Sequence, residues 1–226
     1  MKLTRKELIL FDLDGTLIDS VPDLSFAVNH MLKRVGYDTF SEDIIRTWVG
    51  NGASMLVQRA LLGDIDTTQK LEEAFFEGAL DIFLTFYGKN LSGATAYPNV
   101  IDTLLELKDM GYRMAIVTNK PFKFVQPILD GLGIGDIFDY ILGGDSLEKR
   151  KPDPMPLLYI CEKLDISIEK TIMIGDSKND IVSANLAGIQ SIGVTYGYNY
   201  GENISTYNPD FVCDDFADIL TLLKRS

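Results

Sequence analysis

Six short apolar runs punctuate the chain: ELILFDLD, RMAIVTN, DYILGGD, KTIMIGD, QSIGVTY and DFVCDD. They are near-continuous rather than alternating, the pattern of strands buried on both faces of a parallel sheet. Between them lie amphipathic stretches such as NVIDTLLELKDMGY, with Ile101, Leu104, Leu105 and Leu107 on one side and Gly111 placed to stop the helix. PMPLLYICEKLDI and NDIVSANLAGI have the same character. Such alternation predicts an open α/β sheet of five or six parallel strands with helices on both faces.

The stretch from Pro22 to Ser92 departs from this pattern and reads as helices only. DLSFAVNHMLKRVGY carries Leu24, Ala27, Val28, Met31, Leu32 and Val35 at helical spacing, SEDIIRTWVG offers Ser41 as an N-cap, and ASMLVQRALLG and TTQKLEEAFFEGALDIFLTFYG follow. About seventy residues exceed any crossover helix, which predicts an inserted α-helical subdomain at 21–92 in a core built from 1–20 and 93–226.

Composition narrows the function. With 46% hydrophobic and 24% charged residues the chain is built to fold, and a net charge of -12 repels nucleic acid and anionic lipid, so neither is expected as a partner. No run reaches the roughly 18 apolar residues of a membrane helix, and Leu8 to Phe11 is broken by Asp12 too soon for a signal-peptide core; a cytoplasmic protein is expected. Cys161 and Cys213, far apart and without metal-ligand spacing, read as buried thiols.

The chemistry is expected where strands end, because open parallel sheets bind ligands beyond their carboxyl edges. The first run ends on Asp12 and Asp14, which share a face and repel unless a proton, water or cation intervenes. Later runs end on Thr118-Asn119 and on Gly175-Asp176 with Asp180 a turn further, and Lys151 stands before Pro152 after the third. Singly, each has a plain structural use: Asp14-Gly15 a turn, Thr118 a strand end, Lys151 a solvated lysine, Asp176 and Asp180 helix caps near Lys178.

Jointly, DLDGT at 12–16, TN at 118–119, KPDP at 151–154 and GDSKND at 175–180 resemble the four ordered motifs of the haloacid dehalogenase superfamily of phosphohydrolases. The resemblance spans the whole chain and implies a Rossmann-like core with a mobile helical cap at the insertion. A carboxylate approaching a phosphate dianion meets roughly 8 kcal/mol of repulsion at about 4 Å and an effective dielectric near 20, so a cation is required. The resemblance implies Mg2+ held by Asp12, the backbone carbonyl of Asp14 and Asp176. It makes Asp12 the nucleophile of an aspartyl-phosphate route and Asp14 the general acid and base. Thr118, the Asn119 amide and Lys151 would hold phosphoryl oxygens. Asp180, beside Gly175 and Ser177, would orient Lys151 or the metal's waters. Asp14 argues against a dehalogenase, which lacks it, and Thr16 against a β-phosphoglucomutase, which usually carries valine there.

Between two expected cap helices, Gly50, Asn51 and Gly52 form a candidate specificity loop. VGNGA, YPNV and GDSKNDIVSANLAG are similar to stretches of the phosphoglycolate phosphatases within this superfamily, which implies a small phosphorylated metabolite as substrate. Cap backbone amides, Arg46 and Arg59 are open candidates for its carboxylate. Sugar-phosphate phosphatases, nucleotidases, pyrophosphatases and a catalytically silent phosphate-binding module are the alternatives, and a monomer or homodimer is expected. His30 and Trp48 read as packing residues, and Pro127 as a kink or restart in its helix.

Overall fold

The computed structural model describes residue 3 and residues 6–223. In chain order the elements are β1 (Leu8–Phe11), β2 (Ile18–Asp19), α1 (Val21–Arg34), α2 (Glu42–Arg46), α3 (Ala53–Leu62), α4 (Glu73–Tyr87), β3 (Thr95–Ala96) and α5 (Val100–Asp109). They continue as β4 (Arg113–Val117), α6 (Phe122–Gly131), β5 (Tyr140–Leu142), α7 (Met155–Leu164), β6 (Thr171–Gly175), α8 (Lys178–Ala187), β7 (Gln190–Val194), β8 (Phe211–Cys213) and α9 (Asp218–Leu223).

All six apolar runs become strands of one parallel sheet in the order β5-β4-β1-β6-β7-β8. β1 lies at its centre, fully buried, and its alternation divides the core. Ile9 and Phe11 pack with Leu104, Ile128 and Ile219 from α5, α6 and α9, whereas Leu8 and Leu10 pack with Leu157, Ile160 and Ala184 from α7 and α8. This places the ends of β1, β4 and β6 side by side at one edge of the sheet.

The insertion holds α1 to α4 with an apolar cluster of its own, built on Val28, Met31, Trp48, Val57 and Phe83 and joined by Phe124 and Tyr198 from outside it. Helix α1 begins with Pro22 and Asp23 in its first turn and ends with Lys33 and Arg34, the polarity its dipole favours. Ser41 caps α2 as expected, accepting from the Ile44 amide. Helix α4 starts later than its apolar pattern suggests, at Glu73, because the Glu72 carboxylate takes the amides of Ala74 and Phe75. The two chain crossings are tied together by the β2–β3 ribbon and by the Asp23 carboxylate, which accepts from the Gly93 and Ala94 amides.

Pro127 sits inside a single helix, α6, which neither ends nor restarts there. His30 stacks flat on Phe86, and Cys161 and Cys213 are buried free thiols. Among the described residues no helix is long and apolar enough to cross a membrane.

Candidate active site

The motif residues converge at the carboxyl edge of the sheet. Asp12 follows β1 directly, its amide still bonded to the Ile174 carbonyl of β6 at 3.0 Å. Lys151 reaches it from the loop after β5: its Nζ lies 3.0 Å from Asp12 Oδ1 and 2.6 Å from Asp180 Oδ1, with the lysine 2% exposed. Burial works against that ammonium, but the two carboxylates outweigh it and hold it above its usual range. The Asp180 carboxylate has a second use, accepting from the Ser177 amide and hydroxyl in a capping box that starts α8. One carboxylate thus both starts α8 and holds Lys151, and Gly175, the last residue of β6, lies against it.

Asp12, Asp176 and Asp180 bring carboxylate oxygens within 4.8 Å of one another. Burial, with Asp180 and Asp14 adding repulsion against the pull of Lys151, pushes Asp12 up to about 7; burial with Asp180 and Asp12 raises Asp176 as well. Asp176 is fixed by Thr16 Oγ1 at 2.8 Å and by the Tyr198 amide at 2.6 Å. The Asp14 side chain is not part of this cluster. It turns away, accepting from Ser20 Oγ and from Lys120 Nζ at 2.8 Å. Two aspartates one residue apart therefore face different partners.

Thr118 is buried, its hydroxyl accepting the Lys120 amide. Asn119 Nδ2 donates to the carbonyls of Lys151 and Gly50, which ties the strand end to the loop of the helical insertion. That loop is built for close approach. Gly50 and Gly52 have φ of +122° and +83°, and a Cβ on them would stand 2.6 Å from Tyr200 Oη and 2.8 Å from the Asn119 carbonyl. Asn51 accepts from Tyr200 Oη at 2.7 Å, and Asn179 donates to the Gly50 carbonyl.

A small chamber lies between the sheet edge and the helices, floored by Asp12, Asp14, Thr118, Asn119 and Lys120 and walled by Leu24, Leu56, Phe83, Tyr87 and Phe124. Arg46 and Arg59 do not line it. Arg46 is paired with Asp19 and Glu42, and Arg59 donates to the Trp48 carbonyl and lies over the Tyr200 ring. Lys120 was not legible as a site residue: it directly follows the TN motif, but lysine at a strand end is ordinarily solvated. Here Pro121 starts α6 and the ammonium is carried inward to Asp14.

This arrangement has relatives. Residues 9–194 match the family model described as haloacid dehalogenase-like hydrolase, and the chain belongs to that family. It is 50% identical over 226 residues to a phosphoglycolate phosphatase of Colwellia psychrerythraea, covering 100% of both chains. It is 48% identical over 223 residues to one of Psychrobacter arcticus, covering 98% of this chain and 97% of that one. Among solved structures, a "predicted phosphoglycolate phosphatase" from Haemophilus somnus superposes with a TM-score of 0.91 at 46% identity, over 96% of this chain and 98% of that one. The protein is thus an enzyme of the hydrolase class that its four motifs resemble.

Proposed function

We propose that the protein hydrolyses 2-phosphoglycolate to glycolate and phosphate, as a Mg2+-dependent cytoplasmic enzyme acting through an aspartyl phosphate. The observation that carries this reading is the separation of two adjacent aspartates: Asp12 against Lys151, and Asp14 against Ser20 and Lys120. The names of the relatives supply the substrate.

The donor set suits a hard divalent cation. Three buried carboxylates within 4.8 Å of one another are an oxygen-only cluster, and burial raises the Asp12 carboxyl despite Lys151, so a further cation would favour its ionised, nucleophilic form. Asp12 and Asp176, with the Asp14 carbonyl, would hold Mg2+, and Asp180 would keep Lys151 in place. When bound, the cation supplies positive charge that offsets the repulsion between carboxylate and phosphate.

Asp12 then attacks phosphorus, and the bond from phosphorus to the ester oxygen breaks as Asp14 gives that oxygen its proton. In the second half Asp14 takes a proton from water, which attacks the same phosphorus and frees Asp12 and phosphate. Thr118, the Asn119 amide and Lys151 hold the phosphoryl oxygens throughout. Residues 21–92 serve as a cap, and the Gly50–Gly52 loop closes the chamber against water over a core formed by 1–20 and 93–226.

The test is a comparison of kcat/KM for 2-phosphoglycolate, sugar phosphates, nucleotides and pyrophosphate, with and without Mg2+. The expected result is Mg2+-dependent turnover with a preference of at least about tenfold for 2-phosphoglycolate, equivalent to roughly 1.4 kcal/mol. A smaller preference would overturn the substrate, and phosphate binding without any turnover would overturn the activity.

A further inference from the structure

The reaction accounts for Asp12, Asp14 and Lys151, but not for two polar groups of the chamber above them. Lys120 is 4% exposed and bears the one cationic side chain lining the chamber among the described residues. Its Nζ is engaged by a single carboxylate, Asp14, at 2.8 and 3.2 Å, although an ammonium carries three donors. Tyr87, at the end of α4, is 1% exposed and lines the chamber, and its hydroxyl, whose one polar neighbour is the Lys120 ammonium, has no acceptor for its proton among the described residues. The Lys120 ammonium lies 5.0 Å from the centre of the Tyr87 ring, so the unused donors are neighbours.

A buried hydroxyl whose proton has no acceptor forfeits the hydrogen bond it makes in water, and such groups in folded proteins call for an explanation. A cation in an apolar enclosure attracts a second anion strongly, because no water competes for its donors. Leu24, Leu56, Phe83 and Phe124 supply that enclosure. Burial raises the Tyr87 phenol to about 12, against the opposing pull of Lys120, so it remains a donor at neutral pH.

We infer that Lys120 Nζ and Tyr87 Oη form the subsite for a carboxylate carried by the leaving group of the substrate. The position suits this role. Lys120 touches Asp14, the residue that protonates the leaving oxygen, so a leaving group with its anion one carbon from that oxygen places the anion at Lys120. An ester of the same size ending in a methyl group would leave both donors unmatched, which is the arrangement by which a site rejects an analogue most strongly. The cap arginines do not line the chamber: Arg46 is paired with Asp19 and Glu42, and Arg59 reaches the Trp48 carbonyl.

This inference rests on the 2-phosphoglycolate reading, and one experiment separates the two. Wild type, Lys120→Met and Tyr87→Phe are assayed with 2-phosphoglycolate and with ethyl phosphate, which replaces the carboxylate by a methyl group. The quantity read is the ratio of the two kcat/KM values. In wild type the ratio is expected to exceed about 100 in favour of 2-phosphoglycolate. It should fall at least about tenfold in Lys120→Met and about threefold or more in Tyr87→Phe, with the loss for 2-phosphoglycolate chiefly in KM. A ratio unchanged within about twofold in both variants would overturn the subsite while leaving the substrate standing. Should Lys120→Met not fold, as judged by thermal unfolding, the ratio in Tyr87→Phe decides alone. A wild type that prefers other phosphate esters over 2-phosphoglycolate would instead overturn the reading beneath it.

Discussion

At the sheet edge beneath the chamber, Asp12, Asp176, Asp180 and Lys151 crowd together, buried and charged, each held by at least one partner within 3.0 Å. On the helical side, Leu24, Leu56 and Phe83 present almost nothing but hydrocarbon, with the Tyr87 hydroxyl the polar exception. In the proposed mechanism the sheet side carries the step that every phosphate monoester shares. The helical side contributes shape, dryness and few polar contacts, which is how a binding pocket selects among substrates. Damage to the first face should therefore appear in kcat, and damage to the second in KM and selectivity.

The largest effect is expected from Asp12→Asn, which should reduce kcat by about 10⁴-fold or more while leaving a folded protein, because no other carboxylate stands in its place. Retention of more than about a tenth of wild-type activity would remove Asp12 from the reaction. Lys151→Met comes next. It strips a buried cation from Asp12 and Asp180 together, so kcat should drop by about 10² to 10³ and stability by about 3 to 5 kcal/mol in urea titration.

The third effect concerns pH without metal. Asp12 is raised to about 7 in the folded state from an ordinary 3.8, so its contribution to stability is complete below pH 4 and is lost as pH rises through 7; Asp176 is shifted in the same direction. In chelator the melting temperature should fall between pH 5 and 8, and saturating Mg2+ should flatten that slope. A slope of the opposite sign would contradict the raised carboxylates. The smallest effect belongs to the cap loop. Tyr200→Phe removes the bond to Asn51 and should raise KM about two- to fivefold with kcat nearly unchanged. A kcat loss larger than the KM change would place Tyr200 on the catalytic side of the comparison.

The same contrast explains what could be read before the fold was in view. Six strands were legible because parallel strands buried on both faces need continuous apolar runs, and their ends marked Asp12, Thr118 and Asp176. The β2–β3 ribbon was not, since two-residue strands leave no periodic signal. Lys120 and Tyr87 were missed for a different reason. Lysine after a strand and tyrosine at a helix end are ordinary in composition, and only the docking of α4 over the sheet edge buries them together. Arg46 and Arg59 were candidates by charge alone, and their ion pair and carbonyl contacts keep them from the chamber.

Covalent trapping tests the division of labour between the two aspartates most directly. Radiolabelled 2-phosphoglycolate is mixed with enzyme and Mg2+, quenched in acid within one turnover, and the labelled peptide mapped. The expected result is a hydroxylamine-sensitive label on Asp12, absent from Asp12→Asn and accumulating in any Asp14→Asn protein that still forms it. Label on another residue, or a burst of free phosphate with no labelled protein, would contradict the aspartyl-phosphate route.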